Sequence, residues 1–516
     1  MRTVKYLRLE ARTAEQRYAH RESADILRHT LELISRLPEA ERAITELAVL
    51  EKLATIYWLC SDTLWFETYE ALAHRASDYG NIEVEIRALL DWSYCLATIN
   101  ADADRSLELI ERALRLIDAL DDGVLSARAK MSCLAARIWF GGWRPRDAEE
   151  VRRMVPVIRQ TSDRGLLAPY LIDYSLIQWA SSEYREAHQS VSEAIEILAQ
   201  ERTENLYLSL AYQKSQIYIP RNLLFLGEWG EASRQIDDAI TTADRNGDQF
   251  PAQLLRLLRA WIQLHAMDFS GALRTCEPMV ALTGNFTGNY LHSISRVFAG
   301  CAEAGLGNYD RAPDDLLSAR DQMNSRKIMM HWYYRMPLEL ALTEVWLGKK
   351  DLIRARQEAA RFLNDVTATA ERTWQALAWE VNARVAMAEI DLKRAQDCVS
   401  RALVTIEGFE IPLAGLRVHA TAAEVSQRAE DIESSHRQRE ISRVAILKLA
   451  NSLTPEDPLR KASSQHLPLP RSSTGRWGML FSKHPCGKDT VRCRYMPPPQ
   501  RSVTAAFITQ FGCLSP

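Results

Sequence analysis

The 516-residue chain carries eleven histidines, nine cysteines and 67 acidic residues, but few of them stand at spacings that chemistry requires. No two histidines are four apart, the spacing that would put two metal ligands on one helical face. Cys486 and Cys493 lie near His484 in a short irregular segment with no fourth ligand at a matching distance. The string CGKDT (Cys486–Thr490) has a Gly-Lys pair, but Ser482 stands where a phosphate loop needs its first glycine. No G-x-S-x-G elbow presents a nucleophilic serine. The acid pairs Asp121-Asp122, Glu149-Glu150 and Asp314-Asp315 fall at turns or first turns of expected helices, where the positive helix end favours them. The expectation is a non-catalytic protein with no cofactor and no metal.

The elements that would carry any other function are helices. In FLGEWGEASRQIDDAI, Ala232, Ile236 and Ala239 are four and three residues apart, so they share one helical face. The same face recurs as Ala187/Val191/Ala194, Ala272/Cys276/Met279, Ala312/Leu316/Ala319 and Ala395/Val399/Ala402. Looser copies begin at Ser23, Tyr69, Ser106 and Ala355, and Ala148 leads one more with Arg152 at the partner position. These leading residues follow one another at intervals of about 40, a period that belongs to solenoids. Twelve residues before most of them stands a second small residue, among them Ala11, Ala136, Ser175, Ala260, Gly300, Thr343 and Ala383. Each unit therefore reads as two helices, A and B, crossing at small side chains. An apolar or aromatic residue three before the lead (Tyr184, Trp229, Phe269, Tyr309) wedges the turn, and Gly227 and Gly307 sit where a helix end favours positive φ. Pro220 breaks the pattern, because it occupies a crossing position inside an A helix. It reads either as a tolerated kink or as one that opens a ligand pocket beside Arg221 and Asn222.

Small-x11-small-x3-apolar-x2-small with G-x-[WY] at the turn resembles the tetratricopeptide repeat (TPR). The likeness covers about residues 1–430 as ten units, longer than the usual repeat and mostly lacking its helix-A aromatic. Such long, degenerate units are similar to the C-terminal sensor arrays of AAA/STAND-type signal-transduction ATPases and transcription regulators. The resemblance implies a right-handed, all-α solenoid of about ten helix pairs over 1–453. It also implies that the A helices line a concave groove, where ligands bind. The residue after each crossing position should face that groove: Arg137, Leu176, Arg221, Trp261, Cys301, Glu344 and Arg384. Trp179 and His265, one turn on, should join them. Arg and Trp are common anchors of binding surfaces, although Trp179 and Trp261 also suit a packed core.

The expected role is a sensor or interaction array for a protein or peptide, or for a small-molecule inducer, with an ATPase module in cis or in trans. A free-standing peptide-binding adaptor is the first alternative, and an enzyme fragment lacking its catalytic half the second. No apolar run is long enough to span a membrane and no signal sequence opens the chain. Six cysteines sit inside helical patterns, as a reducing compartment allows. The expectation is a cytoplasmic protein with no direct nucleic-acid binding by the solenoid. The net charge of -3 divides unevenly: from Arg460 onward nine Lys/Arg face one acid, which leaves -11 on residues 1–459. The segment 454–516 is basic and proline-rich, unable to build a core and expected to be disordered. It reads as a basic arm, as a linker, or as the product of a shifted reading frame. At the other end Val4, Leu7 and Leu9 open the first helix without a polar cap, so that face is expected to be adhesive.

Overall fold

The computed structural model describes residues 2–460, except 18, 61, 98–101, 119, 121–122, 142–144, 161–163, 201–209, 282–285 and 326–328. Among the described residues there are twenty-two α-helices, from α1 (Arg2–Gln16) to α22 (Ile432–Asn451), and no strand. Consecutive helices pack as pairs, and each odd-numbered helix also packs on the odd helices before and after it along much of the chain. The result is a right-handed α-solenoid with the odd helices inside.

The small residues do the work their spacing implies. Ala187, Ala232, Ala272, Ala312, Ala355 and Ala395 are fully buried where B helices cross A helices, as are Ser175, Ala260, Thr343 and Ala383 on the other side of the crossing. Gly300 shows how close the approach is: a Cβ there would lie 2.6 Å from Leu316, four residues beyond the lead Ala312. The wedge residues reach the next unit. The Phe269 ring covers Gly305 and the Tyr309 ring covers Gly348, where an added methyl group would overlap them.

The turns follow one rule that holds beyond the glycines. Five residues before each lead from Ala187 onward the backbone is left-handed, at Ser182, Gly227, Met267, Gly307, Lys350, Ile390 and Glu430. Only two of these are glycine, so the turn geometry is imposed on side chains that pay for it in strain. The next residue is an acid or asparagine, and Asp268, Asp351, Asp391 and Asp431 each accept a hydrogen bond from a backbone N–H three residues on. These caps satisfy backbone donors at the start of those four B helices.

An eleventh pair, α21 (Pro412–Arg428) with α22, extends the expected ten. Its lead is Ser435, and the Ser435 hydroxyl donates to the Ala423 carbonyl at 2.9 Å, twelve residues earlier. A serine lead without an alanine partner hid this unit from the pattern. Leu453 and Leu459 are buried against the core. From 461 onward the tail, with Cys486, Cys493 and His484, lies outside the described residues. In α1, Val4 is buried while Tyr6 and Leu9 are exposed. Pro220 lies within α11 (Leu210–Leu226), which continues as helix on both sides of it. Pro169 and Pro337 stand deeper than a first turn, in α9 (Arg164–Ala180) and α17 (His331–Gly348). No helix among the described residues is long and apolar enough to cross a membrane.

Units five apart touch, because the superhelix returns on itself. The Met330 N–H donates to the Trp139 carbonyl at 2.5 Å. The buried Glu371 carboxylate accepts from the hydroxyls of Ser182, at 2.9 Å, and Tyr184, and from the Trp374 N–H at 2.8 Å. Arg185 grips Glu410 with two bonds of 2.5 and 2.6 Å. The Trp229 N–H donates to the Ser452 hydroxyl at 3.1 Å. These contacts close the inner face over much of its length.

Candidate functional site

Closure turns the inner face into two chemically different regions. The first is an aromatic cage built from the odd helices. Trp179 on α9, Arg221 on α11, Trp261 on α13 (Gln249–His265), Phe298 on α15 (Phe286–Gly305) and Tyr333 and Tyr334 on α17 all line one cavity of about 50 Å³. Ring centres stand 4.4 Å apart for Trp179 and Tyr333, and 5.5 Å apart for Trp261 and Tyr333. Such pairs across successive turns add edge and offset contacts to plain burial. Trp179 and Trp261 are thus buried and also line the cavity, so the core reading and the groove reading of these residues describe one place.

Arg221 is the one charged side chain in that lining. It is 7% exposed. Its guanidinium carbon lies 4.0 Å from the Trp179 ring centre and 4.3 Å from that of Tyr218. Nε and Nη2 are buried with no hydrogen-bond partner. Burial pushes its pKa below the ordinary arginine value, and the groups that oppose this are the phenols of Tyr218, Tyr333, Tyr334 and Tyr184. Stacking on aromatic rings recovers part of the desolvation cost of the cation, but phenols carry no charge near neutral pH. Asn222, its neighbour, donates to the Ser175 hydroxyl at 3.3 Å and leaves its own Oδ1 without a partner.

The second region lies toward the C-terminal pairs and satisfies itself. Glu344 on α17 accepts from Arg384 on α19 (Arg372–Ala388) at 2.7 Å and from Arg417 on α21 at 2.6 Å. Arg417 also donates to Glu380 at 3.1 Å, and Thr421 donates to the other Glu380 oxygen at 2.7 Å. Burial alone would raise the Glu344 pKa, yet Arg417 and Arg384 together hold it below the ordinary glutamate value. His265 stands between the regions. Its ring stacks on Trp261 at 6.4 Å, and burial, reinforced by the charge of Arg417, holds its pKa down at about 3.

The expected groove residues therefore divide. Trp179, Arg221 and Trp261, with Leu176, come together in the cage. Glu344 and Arg384 meet in the charged network, and His265 bridges. Arg137 is half-buried on α7 (Gly123–Ile138) and does not line the cavity. Cys301 offers its thiol to the Pro337 carbonyl at 3.6 Å, and burial pushes its pKa up. Tyr94, Trp139, Tyr218 and Arg417 were not foreseen. Tyr218 is three residues from Arg221 on the same helix, a signal that was present; Tyr94, Trp139 and Arg417 come from other units and do not stand one residue past a crossing.

Among the described residues no group of three or more His, Cys, Asp or Glu is placed to hold a metal ion. The buried thiols of Cys133 and Cys276 are pushed up to about 12 by burial, which makes them packing groups at neutral pH.

No protein-family model matches the sequence, and no curated protein matches it. Solved structures do. The chain is similar to a Rap protein complexed with Competence and Sporulation Factor, at 13% identity and a TM-score of 0.52 over 72% of this chain and 99% of that one. It is also similar to the apo form of RapI, at 10% identity and a TM-score of 0.42 over 72% and 99% of the two chains. The APC/C hetero-tetramer Cut9-Hcn1 matches at 11% identity and a TM-score of 0.35 over 90% and 96%. At such identities the likeness concerns the fold alone, and the fold is a TPR-type α-solenoid.

Proposed function

We propose that this chain is a non-catalytic binding array that holds a peptide or protein segment against its inner face. The observation that carries the reading is Arg221, a buried cation with unpaired donors in an aromatic cage at the centre of that face. Buried polar groups are nearly always paired, so an unpaired one invites a functional explanation. The Rap protein complexed with Competence and Sporulation Factor, whose fold this chain resembles, offers a precedent for a ligand on such a scaffold. The wider context we propose is the sensor array of a signalling ATPase or transcription regulator whose ATPase and output domains lie outside this chain. A small-molecule inducer fits the same face. The proposed compartment is the cytoplasm, and the proposed domain is the solenoid followed by a tail that adds no core.

Selection from a displayed random-peptide library against the purified chain tests this. Sequences should be enriched, and Arg221→Glu or Trp261→Ala should abolish their binding while circular dichroism stays helical. Failure to enrich any sequence, or undiminished binding to both variants, would overturn the inner-face reading. ATP turnover that survives repurification would overturn the non-catalytic one.

A further inference from the structure

The partly buried cations on the inner side of this solenoid have carboxylates. Arg417 has Glu344 and Glu380, and Arg384 has Glu344. Lys214 lies over the rings of Tyr94 and Trp139, as Arg221 lies over Trp179, yet it has Asp173 at 4.0 Å and feels the charge of Asp91. Arg221 departs from this rule. The strongest electrostatic influences on it are tyrosine phenols, and among the described residues no carboxylate forms an ion pair with it. Arg128 also has Nε and Nη2 unpaired, over the Tyr170 ring, but it lies outside the lining of the cavity. Arg221 combines a buried unpaired guanidinium with a cavity to receive a ligand.

The chemistry of that ligand follows from what is missing. Arg221 Nε and Nη2 and the buried, unpartnered Trp179 Nε1 can only donate. The ligand must accept. One guanidinium balances one negative charge, whereas a dianion would leave a net charge buried among Leu, Met, Phe and Trp side chains. With aromatic rings stacked on the guanidinium, its edge N–H groups are the route of approach, and a carboxylate matches that fork with two parallel bonds. About 50 Å³ has room for a carboxylate and a few attached atoms but not for a nucleotide or sugar.

We propose that the Arg221 cavity binds a carboxylate carried on a small apolar body, supplied either as a free short-chain acid or as the C-terminal carboxylate of a peptide. This rests on the reading of the inner face as the binding face, and it names the group that is recognised there.

Calorimetric titration of the full chain, in buffer free of carboxylate, tests it. Butyrate is compared with butyramide, and a short peptide ending in leucine is compared with its C-terminal amide; inorganic phosphate is a further arm. In at least one pair the acid should bind about tenfold or more tighter than its amide. Binding of butyrate alone would identify a free acid as the source, and binding of the peptide acid alone a chain terminus. Arg221→Lys should weaken the acid strongly, because the charge remains and the fork is lost, and Arg221→Met should abolish it. Equal binding of acid and amide, absence of binding by either acid, preference for phosphate, or full binding to a folded Arg221→Met chain would each overturn the proposal. If Arg221→Met does not fold, the acid and amide pairs on the wild-type chain still decide. Library-selected peptides that bind the inner face equally well with amidated ends would sink the carboxylate inference and leave the binding-array reading standing.

Discussion

Arg221 and Arg384 occupy the same register position, one residue past the crossing on an inner helix, and have opposite surroundings. Around Arg384 the neighbouring units supply Glu344, and Arg417 and Glu380 extend the network until charges and donors are matched. Around Arg221 its own helix supplies Tyr218 and other units supply Trp179 and Tyr333, and two nitrogens stay unpaired. A repeat fixes where a side chain points. Whether that side chain stabilises the fold or waits for a ligand is decided by the residues around it, on its own helix and on other units.

The largest expected effect falls on the paired region. Glu344→Leu removes the carboxylate that bridges two partly buried arginines and should destabilise the chain by about 2 kcal/mol in a urea melt. A loss near zero would show that the network is held mainly by Glu380. The same residue sets a pH dependence. Its folded pKa is lowered, so its contribution is complete above the ordinary glutamate value near 4.5 and is lost as pH falls through the folded pKa.

Next comes His265, which touches both regions. Its imidazole stays neutral in the folded chain down to about pH 3, against an ordinary value of 6.5. Between those values only the unfolded chain takes up the proton, so stability should fall as pH falls, by about 2 kcal/mol from pH 6.5 to 5. His265→Phe keeps a ring on Trp261 and should remove that part of the slope. An unchanged slope in thermal melts at pH 7 and 5 would mean the ring is hydrated and not buried between the two regions.

Much of the fold was legible because small residues at crossings are a steric requirement that leaves a visible spacing. Ala232, Ala312 and Ala395 announce their helices, and Gly227 and Gly307 announce their turns. The left-handed turns at Met267, Lys350 and Ile390 were not legible, since packing forces a conformation that those residues do not advertise. The eleventh pair was missed because Ser435 reaches its partner helix through a hydrogen bond to Ala423. The site was legible only in part. The register placed Arg221 and Trp261 inward, but Tyr94, Trp139 and Arg417 reach the inner face from positions other than the one past a crossing, which the spacing of small residues does not mark. Glu380, one turn before Arg384 on the same helix, is a local sign that this cation will be paired, whereas the positions one turn either side of Arg221 hold Ile217, Tyr218, Leu224 and Phe225.

One substitution made at both positions measures that difference directly. Arg384→Met removes a partnered cation and leaves Glu344 with Arg417 alone, so the ligand-free chain should lose about 1.5 kcal/mol of unfolding free energy. Arg221→Met removes an unpaired buried charge and keeps apolar bulk in the cage, so the same chain should gain about 1 kcal/mol. Opposite signs in parallel urea melts are what this account predicts. A loss at both positions would mean that Arg221 is a structural cation satisfied by its aromatic neighbours, and would contradict the claim that it is held in readiness for a ligand.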